Sequence, residues 1–384
     1  MKSTHMPLEA LQQFIKKQGW TMFGIVSFEK IRKNLEKHEK IFEEWEKRGF
    51  GADMDYLKRM EEDRYHPERK LANIKSVIVL GAVYSAGESH GGSNCESHCR
   101  SDCGLVARYA RGKDYHKILK KKLIELSNWL KTRFQKSNVI GQKSKVETYV
   151  SVDSGPMVDR VLAETAGLGF FGKNTCIIDP SKGSFFFIAS VLTDLYLPET
   201  EKRRMPNPEG IRGAEGVRLC GDCRKCMEAC PAGALVAPGI LDARKCVSYL
   251  TIENKEGIPE ESRLKIGNRL FGCDACQEEC PFNIGRAHHQ KITIDKLKPE
   301  FGSGECLDLR EVLPIQSDDE FRQRFAGTCL MRAKRRGLLR NACVVAGNSG
   351  NKELIPYLEQ LIERESDEML REHAEWALKK ISGI

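Results

Sequence analysis

The run CGDCRKCMEACP, residues 220–231, sets Cys220, Cys223, Cys226 and Cys230 in the spacing C-x2-C-x2-C-x3-C-P. Three thiolates at two-residue gaps wrap three corners of an iron-sulfur cubane, while the fourth, followed by proline, turns away toward a second cluster. A lone run would leave one ligand missing. The complement comes later in the chain: Cys246, then Cys273, Cys276 and Cys280 before Pro281 in CDACQEECP. Eight thiols supply two [4Fe-4S] clusters. Under the crossed ligation of two-cluster ferredoxins, Cys220, Cys223, Cys226 and Cys280 hold one cluster, and Cys230, Cys246, Cys273 and Cys276 hold the other. Interleaved ligands bring the clusters close together, which suits an electron relay better than a structural staple. Zinc, which also takes four cysteines, is the alternative, but the threefold run ending in Cys-Pro is atypical of it.

Reading these thiols as ligands assumes a reducing compartment. The opening MKSTHMPLEALQQF lacks the basic, then apolar, then small-residue layout of a signal peptide. A cytoplasmic protein follows, and its 15 cysteines are expected as thiols rather than disulfides. The longest apolar stretches, 77–83 and 185–192, fall far short of the roughly 20 residues a membrane span needs, so no membrane association is expected. A length of 384 residues suggests more than one domain. The formal charge of +8, from 62 basic and 54 acidic residues, suits a polyanionic partner without identifying one.

The remaining cysteines divide into two kinds. Cys95, His98, Cys99 and Cys103 lie in a Gly/Ser-rich segment, residues 90–103, that reads as a loop with incidental thiols or as a metal-holding tract. Cys176, Cys306, Cys329 and Cys343 have largely apolar neighbours and read as small core residues.

Upstream of the clusters, β-rich runs predict strands over 21–28, 76–84, 146–152 and 185–192, with a lysine-rich helix over 115–135. An α/β or α+β domain follows, and residues 199–217 read as a connecting loop. Beyond about residue 317 the pattern is helical, and Leu339-Arg340 with Ala346 recurs as Leu370-Arg371 with Ala377. A period near thirty residues fits two HEAT-like hairpins. The entry segment MRAKRRGLLRN carries Arg332, Lys334, Arg335, Arg336 and Arg340, which either track phosphates or form a solvated face.

Asp153, in VDSGP, ends a predicted strand. Its carboxylate either faces a ligand or caps the next helix, with Pro156 opening that helix. Gly167, Gly169, Gly172 and Gly183 are not spaced as a dinucleotide fingerprint and suit close backbone approach to a flat ligand instead.

The runs RYARGKDYH (108–116), VDSGP, AGLGFFGKN, CVSYLTIE and IGNRLFGCDACQEECPFN, in this order, resemble the epoxyqueuosine reductase family over nearly the whole chain. That resemblance implies an oxidoreductase of queuosine biosynthesis in tRNA processing. It would use cob(II)alamin and two [4Fe-4S] clusters to remove the epoxide oxygen of epoxyqueuosine at the wobble position. The implied fold is α+β. An N-terminal α/β cobalamin-binding domain of nitroreductase and cobalamin-processing type spans 1–200, a ferredoxin-like two-cluster insert spans 201–298, and C-terminal HEAT-like repeats contacting tRNA span 299–384.

The resemblance further implies that clusters pass electrons to base-off cobalt, and that Asp153 donates the proton with which oxygen leaves as water, its pKa raised by burial. Arg64, Asp153, Lys173, Asn174, Ile177, Ser248 and Asp274 would contact cobalamin, and Lys255, Arg335, Arg336 and Arg340 the tRNA. A flavodoxin or ferredoxin would serve as electron donor to a monomeric enzyme. Some members carry cysteine where this chain has Ala107, and the segments before Leu105 and before Cys220 are longer than usual. A cobalamin-dependent reductase of a small molecule, akin to reductive dehalogenases, shares most of these features, and a corrinoid-free electron-transfer module shares the clusters.

Overall fold

The computed structural model describes residues 8–84, 101–134, 136–137, 143–153, 155–201, 217–284, 294, 297–298 and 303–383. Cys95, His98, Cys99 and most of the expected 199–217 loop lie outside the described residues.

The four predicted strands form one sheet. Met22–Ser27, Ser76–Val83, Phe186–Thr193 and Thr148–Val152 lie side by side in that order, and every neighbouring pair is antiparallel. The sheet is therefore of the α+β kind, not the parallel α/β kind. Both faces are apolar because both are covered. Ile25, Ile78, Leu80, Ala189 and Val191 share a core with Leu11 and Ile15 of the Leu8–Lys17 helix and with Leu119 and Leu123 of the Tyr115–Arg133 helix. On the other face Met22, Val26, Val77 and Val79 meet Ile31 and Leu35 of Phe28–Lys47 and Val161 and Leu162 of Asp159–Thr165. Each fully buried leucine in these layers contributes roughly 1.5–3 kcal/mol. A β-carbon at Gly24 would stand 2.2 Å from the Ala166 carbonyl oxygen, so this strand accepts the end of the second-face helix only as glycine.

A second sheet joins parts of the chain that the sequence assigns to separate domains. Cys103–Val106 runs parallel to Arg269–Phe271 and antiparallel to Cys306–Asp308. Its three strands come from the ranges 1–200, 201–298 and 299–384, and one apolar core continues from Leu11 to Ile381. The expected ranges thus pack as a single body.

At the C-terminal end the helices Asp318–Phe325, Lys334–Ser349, Ile355–Arg364 and Glu368–Ser382 follow one another. Asp367 caps the last, accepting from the amides of Met369 and Leu370. The repeated positions Leu339, Ala346, Leu370 and Ala377 are all buried where Lys334–Ser349 packs on Glu368–Ser382. No described helix is long and apolar enough to cross a membrane.

Candidate active site and cluster frame

The cysteines supply the frame. Cys226 lies in the short helix Lys225–Glu228 and Cys276 in Ala275–Glu278, and these two helices pack together. Cys280 stands within electrostatic reach of Cys220 and Cys226. Cys246 stands near Cys230, and Cys273 near Cys246. Cys276 senses Cys273 and Cys246, and also Cys226 in the first run. Among the described residues no group of three or more cysteine, histidine or carboxylate side chains is closed around a single metal ion. Burial pushes the thiols of Cys273 and Cys280 up to about 12. Cys246 sits at the N-terminal end of Val247–Ile252, where the amides of Ser248 and Tyr249 point at its sulfur.

Two expectations about the other cysteines change. Cys329 and Cys343 are buried as predicted, but Cys176 lies among the ligand thiols, within reach of Cys226 and Cys246, and burial pushes it up to about 11. Cys306 is half-buried beside Cys103, which burial and then a hydrogen bond with Cys306 push up to about 12.

The residues expected at cobalamin form the ground next to this frame. Lys173 is 8% exposed, and its ammonium donates to the carbonyls of Gly221 and Cys223. Asn174 Nδ2 donates to the Cys276 carbonyl at 3.2 Å. Asp274 Oδ2 accepts from the Arg108 amide at 2.7 Å, and burial pushes its carboxyl up. Ile177 is buried in a hairpin strand and Ser248 is half-buried in Val247–Ile252.

The glycines do not act as predicted. A β-carbon at Gly169 would meet Ile177 Cγ2 and the Ile178 carbonyl oxygen at 2.7 Å, and one at Gly172 would meet Ile178 Cδ1 at 2.4 Å. The close approach that Gly169 and Gly172 permit is to the chain's own hairpin.

Asp153 follows the Thr148–Val152 strand with φ of +38°, a conformation that non-glycine residues adopt rarely. It caps no helix, since the next begins at Asp159 with Val158 at its cap, and Pro156 lies ahead of the first turn. Its side chain is 62% exposed, so the expected burial is absent. It is held instead by Tyr115, whose hydroxyl donates to Oδ2. Burial pushes the Tyr115 phenol well above its usual value, and Asp153 adds to this. The Tyr115 ring lies between Phe187, at 3.9 Å, and His116, at 4.0 Å. His116 Nε2 stands 3.7 Å from Asp153 Oδ2, and its Nδ1 is 2.7 Å from Asp114 Oδ1. Asp114 and His116 belong to the quoted DYH triplet, but their part in the site is not evident from sequence. The available signal is an aspartate capping a helix two residues before a histidine.

A wall beside Asp153 has polar atoms without partners. Arg64 Nη1 and Asp159 Oδ1 are buried, and neither has a hydrogen-bond partner among the described residues. Burial pushes the Asp159 carboxyl well above the usual range, followed by the effect of Asp153, and Arg64 is close enough to oppose the shift. A buried donor and a buried carboxyl awaiting partners fit the amide-fringed edge of a corrinoid, which offers both acceptors and donors.

The basic C-terminal segment does not present the cations expected. Arg340 is 1% exposed and donates to the carbonyls of Leu250, Asn254 and Glu256. Arg335 is paired with Glu365 in a largely buried contact. Neither is free to meet phosphate, because both are spent on internal acceptors. Arg336 is half-exposed, pairs with Asp367 and donates to the Lys255 carbonyl. Lys255 is exposed.

Comparison with known proteins accords with this geometry. Residues 219–283 match a 4Fe-4S double cluster binding domain, and residues 64–154 match the family model described as Epoxyqueuosine reductase QueG, DUF1730. The chain is 33% identical over 376 residues to an epoxyqueuosine reductase of Pseudomonas aeruginosa, covering 97% of this chain and 94% of the relative. It is 32% identical over 379 residues to that of Escherichia coli, covering 98% and 91%. Among solved structures, an epoxyqueuosine reductase with a tRNA-Tyr epoxyqueuosine-modified stem loop superposes with TM-score 0.76 at 29% identity, covering 97% of this chain and 90% of that one. The Streptococcus thermophilus enzyme superposes with TM-score 0.77 at 25% identity, covering 98% and 91%. With eight thiols framing a double-cluster domain and relatives aligned over almost its full length, the chain belongs to the epoxyqueuosine reductase family.

Proposed function

We propose that this chain reduces epoxyqueuosine to queuosine at the wobble position of tRNA, with Asp153 as proton donor to the departing oxygen. The observation that carries the reading is the placement of Asp153. It projects from a strained position after a strand, gripped by Tyr115, beside a wall whose Arg64 and Asp159 atoms await partners.

Arg64, Lys173, Asn174, Ile177, Ser248 and Asp274 would hold cob(II)alamin between that wall and the clusters. When bound, cobalamin supplies a reduced cobalt that can deliver electrons to an epoxide carbon. The chain's own residues do the rest. Cys220, Cys223, Cys226 and Cys280 bind one cluster, and Cys230, Cys246, Cys273 and Cys276 bind the other. They relay single electrons from an external donor of flavodoxin or ferredoxin type. Tyr115 fixes the orientation of Asp153, and the exposed face of that carboxyl is where a flipped-out base would meet it. Bound substrate would cover the carboxyl and supply the desolvation that the free chain lacks. Lys255 and Arg336 remain as the cations of the tRNA surface, built on HEAT-like helix pairs. The enzyme acts as a cytoplasmic monomer.

The test is anaerobic reconstitution with cobalamin, followed by iron and cobalt analysis and turnover of epoxyqueuosine-containing tRNA. Asp153→Asn is expected to load both metals as the parent does and to lose turnover. Parent-level turnover by Asp153→Asn would overturn the assignment.

A further inference from the structure

Removing an epoxide oxygen as water takes two electrons and two protons: C–O–C + 2 e⁻ + 2 H⁺ gives C=C + H2O. One carboxyl delivers one proton, so the site needs a second. Tyr115 does not provide it. Its phenol is buried and held protonated by burial and by the adjacent carboxylate, so it serves as a fixed hydrogen-bond donor.

His116 is differently placed. Asp114 can only accept when ionised, so the 2.7 Å contact puts the proton of His116 on Nδ1 and leaves Nε2 directed at Asp153, 3.7 Å away. Asp114 is itself anchored. It caps the Tyr115–Arg133 helix by accepting from the His116 amide at 3.1 Å, and although burial pushes its carboxyl up, the hydrogen bonds from His116 prevail and hold it low. The carboxylate behind Nδ1 fixes the ring, and a second ring proton would sit on Nε2, facing Asp153. Among the described residues the charged and titratable groups around this cluster also include Asp159 and Tyr56, which feel Asp153, Lys117 beside Asp114, Tyr109 beside Tyr115, and Cys329 and Arg332.

The geometry points to His116 as the source of the second proton, passed from Nε2 through the Asp153 carboxylate to the leaving oxygen. This inference rests on the assignment of Asp153 as the first donor. In the sequence of events, the first C–O bond breaks and the Asp153 proton makes the oxygen a hydroxyl. The imidazolium then reprotonates Asp153. That second proton leaves with the hydroxyl as water when the second C–O bond breaks, and the two electrons remain in the new carbon–carbon double bond. His116 returns to the neutral form and is recharged from solvent, to which it is 27% exposed.

The experiment is the pH profile of turnover by the cobalamin-loaded, cluster-loaded enzyme on an epoxyqueuosine tRNA stem loop, with stem-loop affinity and cobalt content measured alongside. The parent should show a limb of falling rate with rising pH. His116→Gln should keep affinity and cobalt, lose about 10²-fold in rate, and no longer show that limb. Added imidazole should restore part of the rate to His116→Ala. Asp114→Asn, which keeps a helix-capping side chain but can also donate, should lower the rate because it no longer fixes the ring proton on Nδ1. A His116→Gln enzyme with the parent's rate and limb would overturn the inference. If Asp153→Asn is inactive in the same assay, the proton-donor reading survives that result, whereas an active Asp153→Asn removes both. Should His116→Gln fail to load cofactor, Asp114→Asn decides, and a parent-level rate in that variant overturns the inference.

Discussion

Lys173 donates its ammonium to the backbone carbonyl of Cys223 at 2.9 Å, inside the loop that carries three of the cluster ligands. A buried cation directed at this loop stabilises the more negative, reduced state of the cluster beside it, because cluster potential follows local charge and hydrogen bonding. Lys173→Met is therefore expected to lower the midpoint potential of that cluster by on the order of 50 mV. Lys173→Arg should keep most of the parent value. Redox titration followed by electron paramagnetic resonance measures both, and an unchanged potential in Lys173→Met would contradict the role.

Cys280 stands with Cys220 and Cys226, although its sequence neighbours Cys273 and Cys276 stand with Cys246. Cys280→Ser is thus expected to perturb the spectrum of the cluster held by the 220–226 loop and to leave the other unchanged, while Cys246→Ser does the reverse. Assigned cluster spectra of the two variants check this directly. Loss of the same cluster in both would exclude crossed ligation.

Arg340 and Lys255 should separate stability from tRNA binding. Arg340 is enclosed by the carbonyls of Leu250, Asn254 and Glu256, and removing its side chain leaves these acceptors buried and bare. Arg340→Ala should cost on the order of 3 kcal/mol of folding stability, with the salt dependence of tRNA affinity unchanged in protein that remains folded. Lys255→Ala should leave the unfolding midpoint alone and reduce the salt slope of tRNA binding by about one.

That contrast also marks where sequence reasoning stops. The cluster ligands are legible because their spacing is local, and a loop wraps a cubane with residues two and three apart. The two central strands of the sheet, Ser76–Val83 and Phe186–Thr193, are legible because each is a nearly continuous apolar run buried on both faces, as Ile78 and Val79 are on opposite sides. Arg340 is not legible. On a helix it has the pattern of a solvated or phosphate-facing cation, and the carbonyls that enclose it come from residues 84 to 90 positions away. The Gly169 and Gly172 approach fails for the same reason, since a glycine shows that something comes close but not what. Asp153 is visible as a carboxylate ending a strand. The Tyr115 and His116 that orient and face it open the Tyr115–Arg133 helix, 38 positions before Asp153 in the case of Tyr115, and only folding brings them together.

Acid should destabilise the C-terminal end through one histidine. His373 is fully buried, with Nε2 accepting from the Ile258 amide at 3.0 Å and Nδ1 donating to the Met369 carbonyl at 2.7 Å. Both nitrogens are committed in the neutral form, and a second ring proton would face the Ile258 N–H. Burial, followed by the nearby Arg263, pushes the imidazole down to about 4. An unfolded histidine takes up its proton near pH 6.5. Between these values the unfolded chain binds more protons than the native one, so this contribution to stability is complete above about pH 6.5 and is lost as pH falls toward 4. The full loss amounts to about 3 kcal/mol. His38, whose Nδ1 meets the Tyr65 hydroxyl at 3.0 Å, is pushed down to about 4 by burial, then by Arg160 and Arg64, and acts in the same direction. Urea midpoints of the cluster-loaded protein, measured anaerobically at about pH 7 and about pH 5, should therefore fall on acidification. His373→Gln, whose amide oxygen can still accept from Ile258, should lower the midpoint at neutral pH and shrink the acid decrement. An acid decrement identical to the parent's would show that His373 is not the group being protonated.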